Sequence, residues 1–294
     1  MKSILSFIGP ALILLASCKG KDKTPRPVQI NRDSTTISYT LCGKGDTTLL
    51  FIHGWGINKT YWDGQAQKFC DRYKVVTVDL PGFGSSGRNR ARWDFDNYAK
   101  DINTVIESLG LKKVVLIGHS MSGDIVLAMS AKYPEKIAGI IGIDNLHEPG
   151  GPMTEEEKKQ ADEFFSTLTR SFDSVVNTSM KGILFQPSTD TAVVSRVLHD
   201  IETSDRTIAI SVLRSLAVTG QEEKQVMQQL HHKLYLINSD VLPVKADSLN
   251  KYCRYGFSLQ TVHGTGHYPM IEKPDEFNAA LERTLAGISH DQKN

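Results

Sequence analysis

Val114-Val115-Leu116-Ile117-Gly118-His119-Ser120-Met121-Ser122-Gly123-Asp124-Ile125-Val126-Leu127 begins with four consecutive apolar residues, as a strand buried on both faces does. A cluster of small residues follows, and then an apolar pattern at helical spacing from Ile125 to Met129. A strand that turns abruptly into a helix around one serine is the context a nucleophile elbow requires. The turn needs small neighbours, because Ser120 would sit on strained backbone with its hydroxyl pushed clear of the sheet. Gly118 satisfies the position two before it; two after, Ser122 stands where glycine is usual. Alone, the pattern also describes an ordinary Ser/Gly-rich turn. The segments around it carry the distinction.

Those segments are Leu49-Leu50-Phe51-Ile52-His53-Gly54-Trp55-Gly56, then Val78-Asp79-Leu80-Pro81-Gly82-Phe83-Gly84-Ser85-Ser86, then the elbow. The last is Gly264-Thr265-Gly266-His267-Tyr268-Pro269-Met270-Ile271-Glu272-Lys273-Pro274. In this order and spacing they resemble the α/β-hydrolase superfamily, from about Ile37 to about Ala286. The resemblance implies an α/β fold: a mostly parallel sheet flanked by helices, with a helical cap inserted after the sixth strand. Residues 28–147 and 231–288 would form the core and 148–230 the cap.

A chain of 294 residues is long enough for one large α/β domain with an insertion. Its 34 Lys+Arg and 33 Asp+Glu nearly cancel, so nothing points to nucleic acid or a strongly anionic partner. Residues 1–18 read as a targeting segment outside the fold. Lys2 is its positive start, and the apolar run Ile4 to Leu15 is too short to span a bilayer. It ends in Leu15-Ala16-Ser17-Cys18, which looks like a bacterial lipobox whose cysteine is lipidated. That implies a membrane-anchored lipoprotein of the cell envelope, facing the periplasm or the outside. The alternative is an ordinary secretory signal with an incidental cysteine. Residues 19–27 read as a flexible tether. Cys42, Cys70 and Cys253 lack metal-like spacing. Export permits two of them to pair, but Cys70 reads as simply buried at the apolar end of a helix, and no disulfide is assigned.

Alternation over Val28–Ile30 and Thr36–Leu41 suggests two antiparallel strands, and Lys59–Tyr73 reads as a helix. Asp94 or Asp96 caps the next helix. From about Glu148 charge runs and helical spacing take over. Within that stretch Phe164, Phe165, Phe172, Ile183 and Phe185 are candidates to face a pocket, or else form the cap's own interior. The sheet resumes at Lys233–Ile237 and Phe257–Val262, and Lys273–Leu285 closes the chain.

A serine hydroxyl becomes a good nucleophile only with a base in reach and a group orienting that base. By resemblance the base is His267. His263 lacks the pattern that follows His267, and His53 and His119 occupy positions that shape the site. The acid departs from the commonest arrangement: Ser239-Asp240-Val241-Leu242-Pro243 puts Leu242 where the family has its aspartate. Asp144, directly after the strand Ile140–Ile143, is the first choice, and Asp240 the alternative. The resemblance makes the Trp55 and Met121 backbone amides the oxyanion hole. It implies two-step acyl transfer from a small ester-like substrate (carboxylic ester, thioester or amide) to water. No metal or organic cofactor is required, and no protein partner is predicted. Other readings are a non-catalytic small-ligand-binding lipoprotein on the same scaffold, or haloperoxidase-like or carbon–carbon hydrolase chemistry with the same triad.

Overall fold

The computed structural model describes residues 26–292; the lipobox with Cys18 lies outside the described residues. The strands are β1 (Arg26–Arg32), β2 (Thr35–Cys42), β3 (Thr48–Ile52), β4 (Lys74–Val78), β5 (Val114–His119), β6 (Ile137–Ile143), β7 (Leu234–Ser239) and β8 (Phe257–Val262). They form one sheet in the order β1-β2-β4-β3-β5-β6-β7-β8. β2 pairs antiparallel with β1 and β4, and all other neighbours are parallel. Every residue of β3 and β5 is buried, which is why these strands read as unbroken apolar runs instead of alternating.

Helices fill the connections: α1 (Asp63–Phe69), α2 (Phe95–Ser108) and α3 (Ser122–Lys132) lie before β6. Asp94 is the residue that caps α2, accepting from the Asn97 N–H at 2.8 Å. Because β3–α1–β4 and β4–α2–β5 step in opposite directions along the sheet, right-handed crossovers put α1 and α2 on opposite faces. The strand order reverses at β3 and β5, so their carboxyl ends border a crevice at the switch point.

Between β6 and β7 come α4 (Glu155–Arg170), α5 (Phe172–Val175), α6 (Lys181–Leu184), α7 (Thr191–Thr203), α8 (Arg206–Thr219) and α9 (Glu223–Gln228). They make the helical cap. Thr154 and Glu157 close a capping box at the start of α4. α10 (Ala246–Tyr252), which the sequence reading did not assign, separates β7 from β8. α11 (Pro269–Glu272) and α12 (Pro274–Asp291) follow β8, and α12 runs past the expected end at Leu285.

Two local expectations change. The segment Lys59–Tyr73 is a 3₁₀ turn, Lys59–Trp62, followed by the shorter α1. Cys70 is half-buried and disulfide-bonded to Cys42, with Cα atoms 5.6 Å apart, within the normal range for a bridge. Among the described residues Cys253 is a free, buried thiol.

Candidate active site

Ser120 follows β5 directly and has φ +54°, a left-handed conformation that costs a non-glycine residue energy. The surroundings hold it there. Its N–H donates to the Ile143 carbonyl at 2.9 Å, and its carbonyl accepts from Gly123 N–H at 2.9 Å and Asn145 Nδ2 at 3.0 Å. A Cβ at Gly118 would lie 2.3 Å from the Ser122 carbonyl oxygen, and one at Gly123 would lie 2.6 Å from Asn145 Nδ2. Both glycines are therefore required by close approach. Ser122 is buried and donates its hydroxyl to the His53 carbonyl at 2.6 Å. The elbow is thereby fastened to the loop after β3.

In that loop His53 Nδ1 donates to the Gly54 carbonyl at 2.7 Å and Nε2 accepts from Leu80 N–H at 2.9 Å. These partners assign a neutral ring, and complete burial holds its pKa below the usual histidine value. In a trans peptide C=O and N–H point apart. Holding the Gly54 carbonyl toward His53 thus turns the Trp55 N–H the other way. Gly54 lies close to the serine, since a Cβ there would be 3.1 Å from Ser120 Cβ. The Trp55 and Met121 amide groups donate to no protein acceptor among the described residues. Trp55 itself is buried, its Nε1 donating to the Ala209 carbonyl of α8 at 2.8 Å.

His267 lies on the loop after β8, with Nδ1 2.6 Å from Asp144 Oδ2. Asp144 follows β6, is buried, and has φ +47°. Its other oxygen accepts from the Ser239 N–H at 2.8 Å. Burial alone would raise the Asp144 pKa, but the nearby His147 and His267 imidazoles and the Ser239 N–H outweigh it and hold the carboxyl well below the ordinary range. His147 Nε2 stands 3.7 Å from Oδ1, too far for a hydrogen bond. An imidazole whose Nδ1 proton is given to a carboxylate has Nε2 free to accept a proton. Asp240 does not share this site. It accepts from the Gly264 N–H at 3.0 Å and faces His263 Nδ1 at 3.2 Å, so the two alternatives weighed in the sequence pair with each other.

His119 donates from Nε2 to the His267 carbonyl at 2.7 Å, and its ring centroid is 4.8 Å from that of His267. Burial, and then the nearby His267, push its pKa down to about 3. Asn145, between Asp144 and the left-handed Leu146 (φ +50°), gives its amide to both the Gly118 and Ser120 carbonyls. Sequence reasoning passed over Asn145, although its place right after Asp144 was on view. Of the cap candidates, Phe172 packs against Trp55 and Phe185 stacks on Tyr268. Phe165 is buried beside α8 residue Arg214. Phe164 and Ile183 are 40% and 69% exposed; Phe164, with Phe165, Met180 and Leu213, lines an open groove on the cap to which Ser120, His267 and Asp144 do not contribute. No group of three or more His, Cys, Asp or Glu is placed to hold a metal ion among the described residues.

A family model described as alpha/beta hydrolase fold matches residues 47–193. An esterase/lipase-like protein of Haemophilus influenzae is 28% identical over 244 residues, covering 81% of this chain and 82% of that one. Among solved structures, a thermophilic esterase from Thermogutta terrifontis superposes with a TM-score of 0.76 at 20% identity. That match covers 90% of this chain and 99% of the esterase. A bromoperoxidase from Bacillus anthracis gives 0.75 at 18% identity, over 90% of this chain and all of that one.

Proposed function

Since the chain belongs to the alpha/beta hydrolase fold family, we propose that it is a serine hydrolase that cleaves a small carboxylic ester, thioester or amide through an acyl-enzyme. The observation that carries this is the 2.6 Å contact between His267 Nδ1 and Asp144, at the same sheet edge as a serine held at φ +54°. Ser120 Oγ attacks the carbonyl carbon while His267 Nε2 takes its proton. The negative charge gathers on the former carbonyl oxygen, where the Trp55 and Met121 N–H groups receive it. His267 returns the proton to the leaving group, then takes one from the water that frees the acid. Asp144 holds the imidazole in the required tautomer and stabilises its charged form. The esterase/lipase-like relative supports the ester-type substrate.

The test is labelling with a fluorophosphonate probe, followed by p-nitrophenyl ester and thioester substrates of graded acyl length. Rapid labelling is expected, and none in Ser120→Ala. Folded wild-type protein that takes no label would remove the hydrolase reading and favour a ligand-binding role. The same chain we take to be a lipoprotein anchored through Cys18 in the bacterial envelope. The Cys42–Cys70 disulfide supports export, because such bonds persist in oxidising compartments.

A further inference from the structure

A histidine on a loop needs outside support to hold its ring within catalytic tolerance. Around His267 that support is given to the backbone. The N–H of Gly266 donates to Glu272 Oε2 at 2.9 Å, and the N–H of Tyr268 to Glu272 Oε1 at 3.0 Å. One carboxylate therefore spans the histidine from both sides. The N–H of His267 turns to the cap and donates to the Leu184 carbonyl of α6 at 2.8 Å. A Cβ at Gly266 would lie 2.5 Å from that same Leu184 oxygen, so loop and cap are in contact with no slack. Glu272 is also held from the cap: Thr189 donates its hydroxyl to Oε2 at 2.9 Å. Thr189 is fixed in turn, its Oγ1 accepting from Gln186 N–H at 3.1 Å and its N–H donating to the Gln186 carbonyl at 3.0 Å.

We propose that Glu272 is a positioning residue for His267, and that Thr189, acting through it, makes the alignment of the base depend on how the segment between α6 and α7 is seated. This rests on His267 being the base of the hydrolase proposed above. Glu272 need not touch substrate. It sets where Nε2 points by fixing the peptide groups on both sides of the ring, in charge-assisted bonds stronger than neutral ones. A misplacement on the order of 1 Å at a reacting group costs about a hundredfold in rate. The cap is thus more than a cover: a shift of the Leu184–Thr189 segment withdraws one acceptor from His267 itself and one donor from its clamp.

The test measures fluorophosphonate labelling rates and p-nitrophenyl acetate kinetics in Glu272→Gln, Thr189→Val, Thr189→Ser and the Glu272→Gln/Thr189→Val double variant. Glu272→Gln keeps one acceptor and sets an NH₂ against a backbone N–H. It is expected to lower kcat and the labelling rate together by about 10- to 100-fold, with KM little changed and the melting temperature close to wild type. Thr189→Val is expected to lose several-fold, while Thr189→Ser, which keeps the hydroxyl, stays at the wild-type rate. In the Glu272→Gln background the Thr189→Val loss should vanish, because the hydroxyl acts through the carboxylate. Additive losses would overturn the coupling, and a wild-type labelling rate in Glu272→Gln would overturn the clamp. Should Glu272→Gln not fold, Thr189→Val and Thr189→Ser decide: equal rates in the two overturn the proposal. Wild-type protein that takes no label would instead count against the hydrolase reading on which this depends.

Discussion

At position 122 a hydroxyl does what a glycine could not, joining the elbow to the His53 carbonyl at 2.6 Å. The sequence shows only that a small residue stands there. The bond partner comes from the loop after β3, some seventy residues earlier, and is invisible to local pattern. The acid is the sharper case. Chain order brings Asp144 and Asp240 both to the carboxyl edge of the sheet, and aligning on Pro243 favours neither. What separates them is occupancy: the Asp240 carboxylate is taken up by Gly264 and His263, while Asp144 meets His267. Amidating Asp144 would keep the shape but spoil the tautomer of the imidazole. Asp144→Asn should therefore cut kcat by hundreds-fold or more, whereas Asp240→Asn should cost at most about tenfold. Steady-state kinetics of the two purified variants decide it, and reversed sizes would transfer the acid to Asp240. Because the Asp144 carboxyl is held well below the ordinary range, its own protonation contributes no inflection to the rate above about pH 5.

Among the elements, those with unbroken apolar character were the most legible. The apolar run Ile140–Ile143 forms the end of β6 (Ile137–Ile143), while β8 spans Phe257–Val262 as read although Ser258, Gln260 and Thr261 interrupt its apolar residues. The cap was legible as helices but not as surfaces. A helix there meets core on one side and other cap helices on another, so the periodicity that marks Phe164 and Phe165 alike does not say which is covered. One cap contact has a measurable consequence. Asp124, in the first turn of α3, is buried and hydrogen-bonds Glu223 of α9, which accepts from the Gly150 N–H at 2.5 Å. Burial, then the neighbouring Glu223 charge, raise the Asp124 pKa, and burial raises that of Glu223 despite Lys224 nearby. The folded pair thus keeps a proton that the unfolded chain has already released above the normal carboxylate range. The folded state binds more protons there, so stability falls as pH rises. Asp124→Asn supplies a permanent donor to Glu223. It should raise Tm by roughly 2–4 °C near neutral pH, with the advantage shrinking toward about pH 4. Thermal melts across that range check it; an advantage that grows as pH falls would mean the proton is not shared.

On the scale of the whole molecule, what sequence could not supply was the disulfide. Twenty-eight positions separate Cys42 from Cys70, and only the fold brings the end of β2 beside the end of α1. Closing a loop of that length removes about 3–4 kcal/mol of freedom from the unfolded chain in the entropic account. Reductant should therefore lower Tm by roughly 10 °C, and a Cys42→Ser/Cys70→Ser variant should start lower and ignore reductant. Equal melting with and without reductant in the wild type would show that the bond is not formed. None of the helices among the described residues is long and apolar enough to cross a membrane. The Ile4–Leu15 stretch is also shorter than a span requires. On the lipoprotein reading proposed above, membrane attachment comes from a covalent acyl chain on Cys18. In the native host Cys18→Ala should release soluble, folded protein or leave unprocessed precursor, since the disulfide and the residues proposed for catalysis lie within the folded core. Fractionation of cells expressing each form, washed at high salt to strip electrostatic adhesion, measures it. A Cys18→Ala protein that is still processed and still pellets with the membrane would show that the anchor lies elsewhere in the chain.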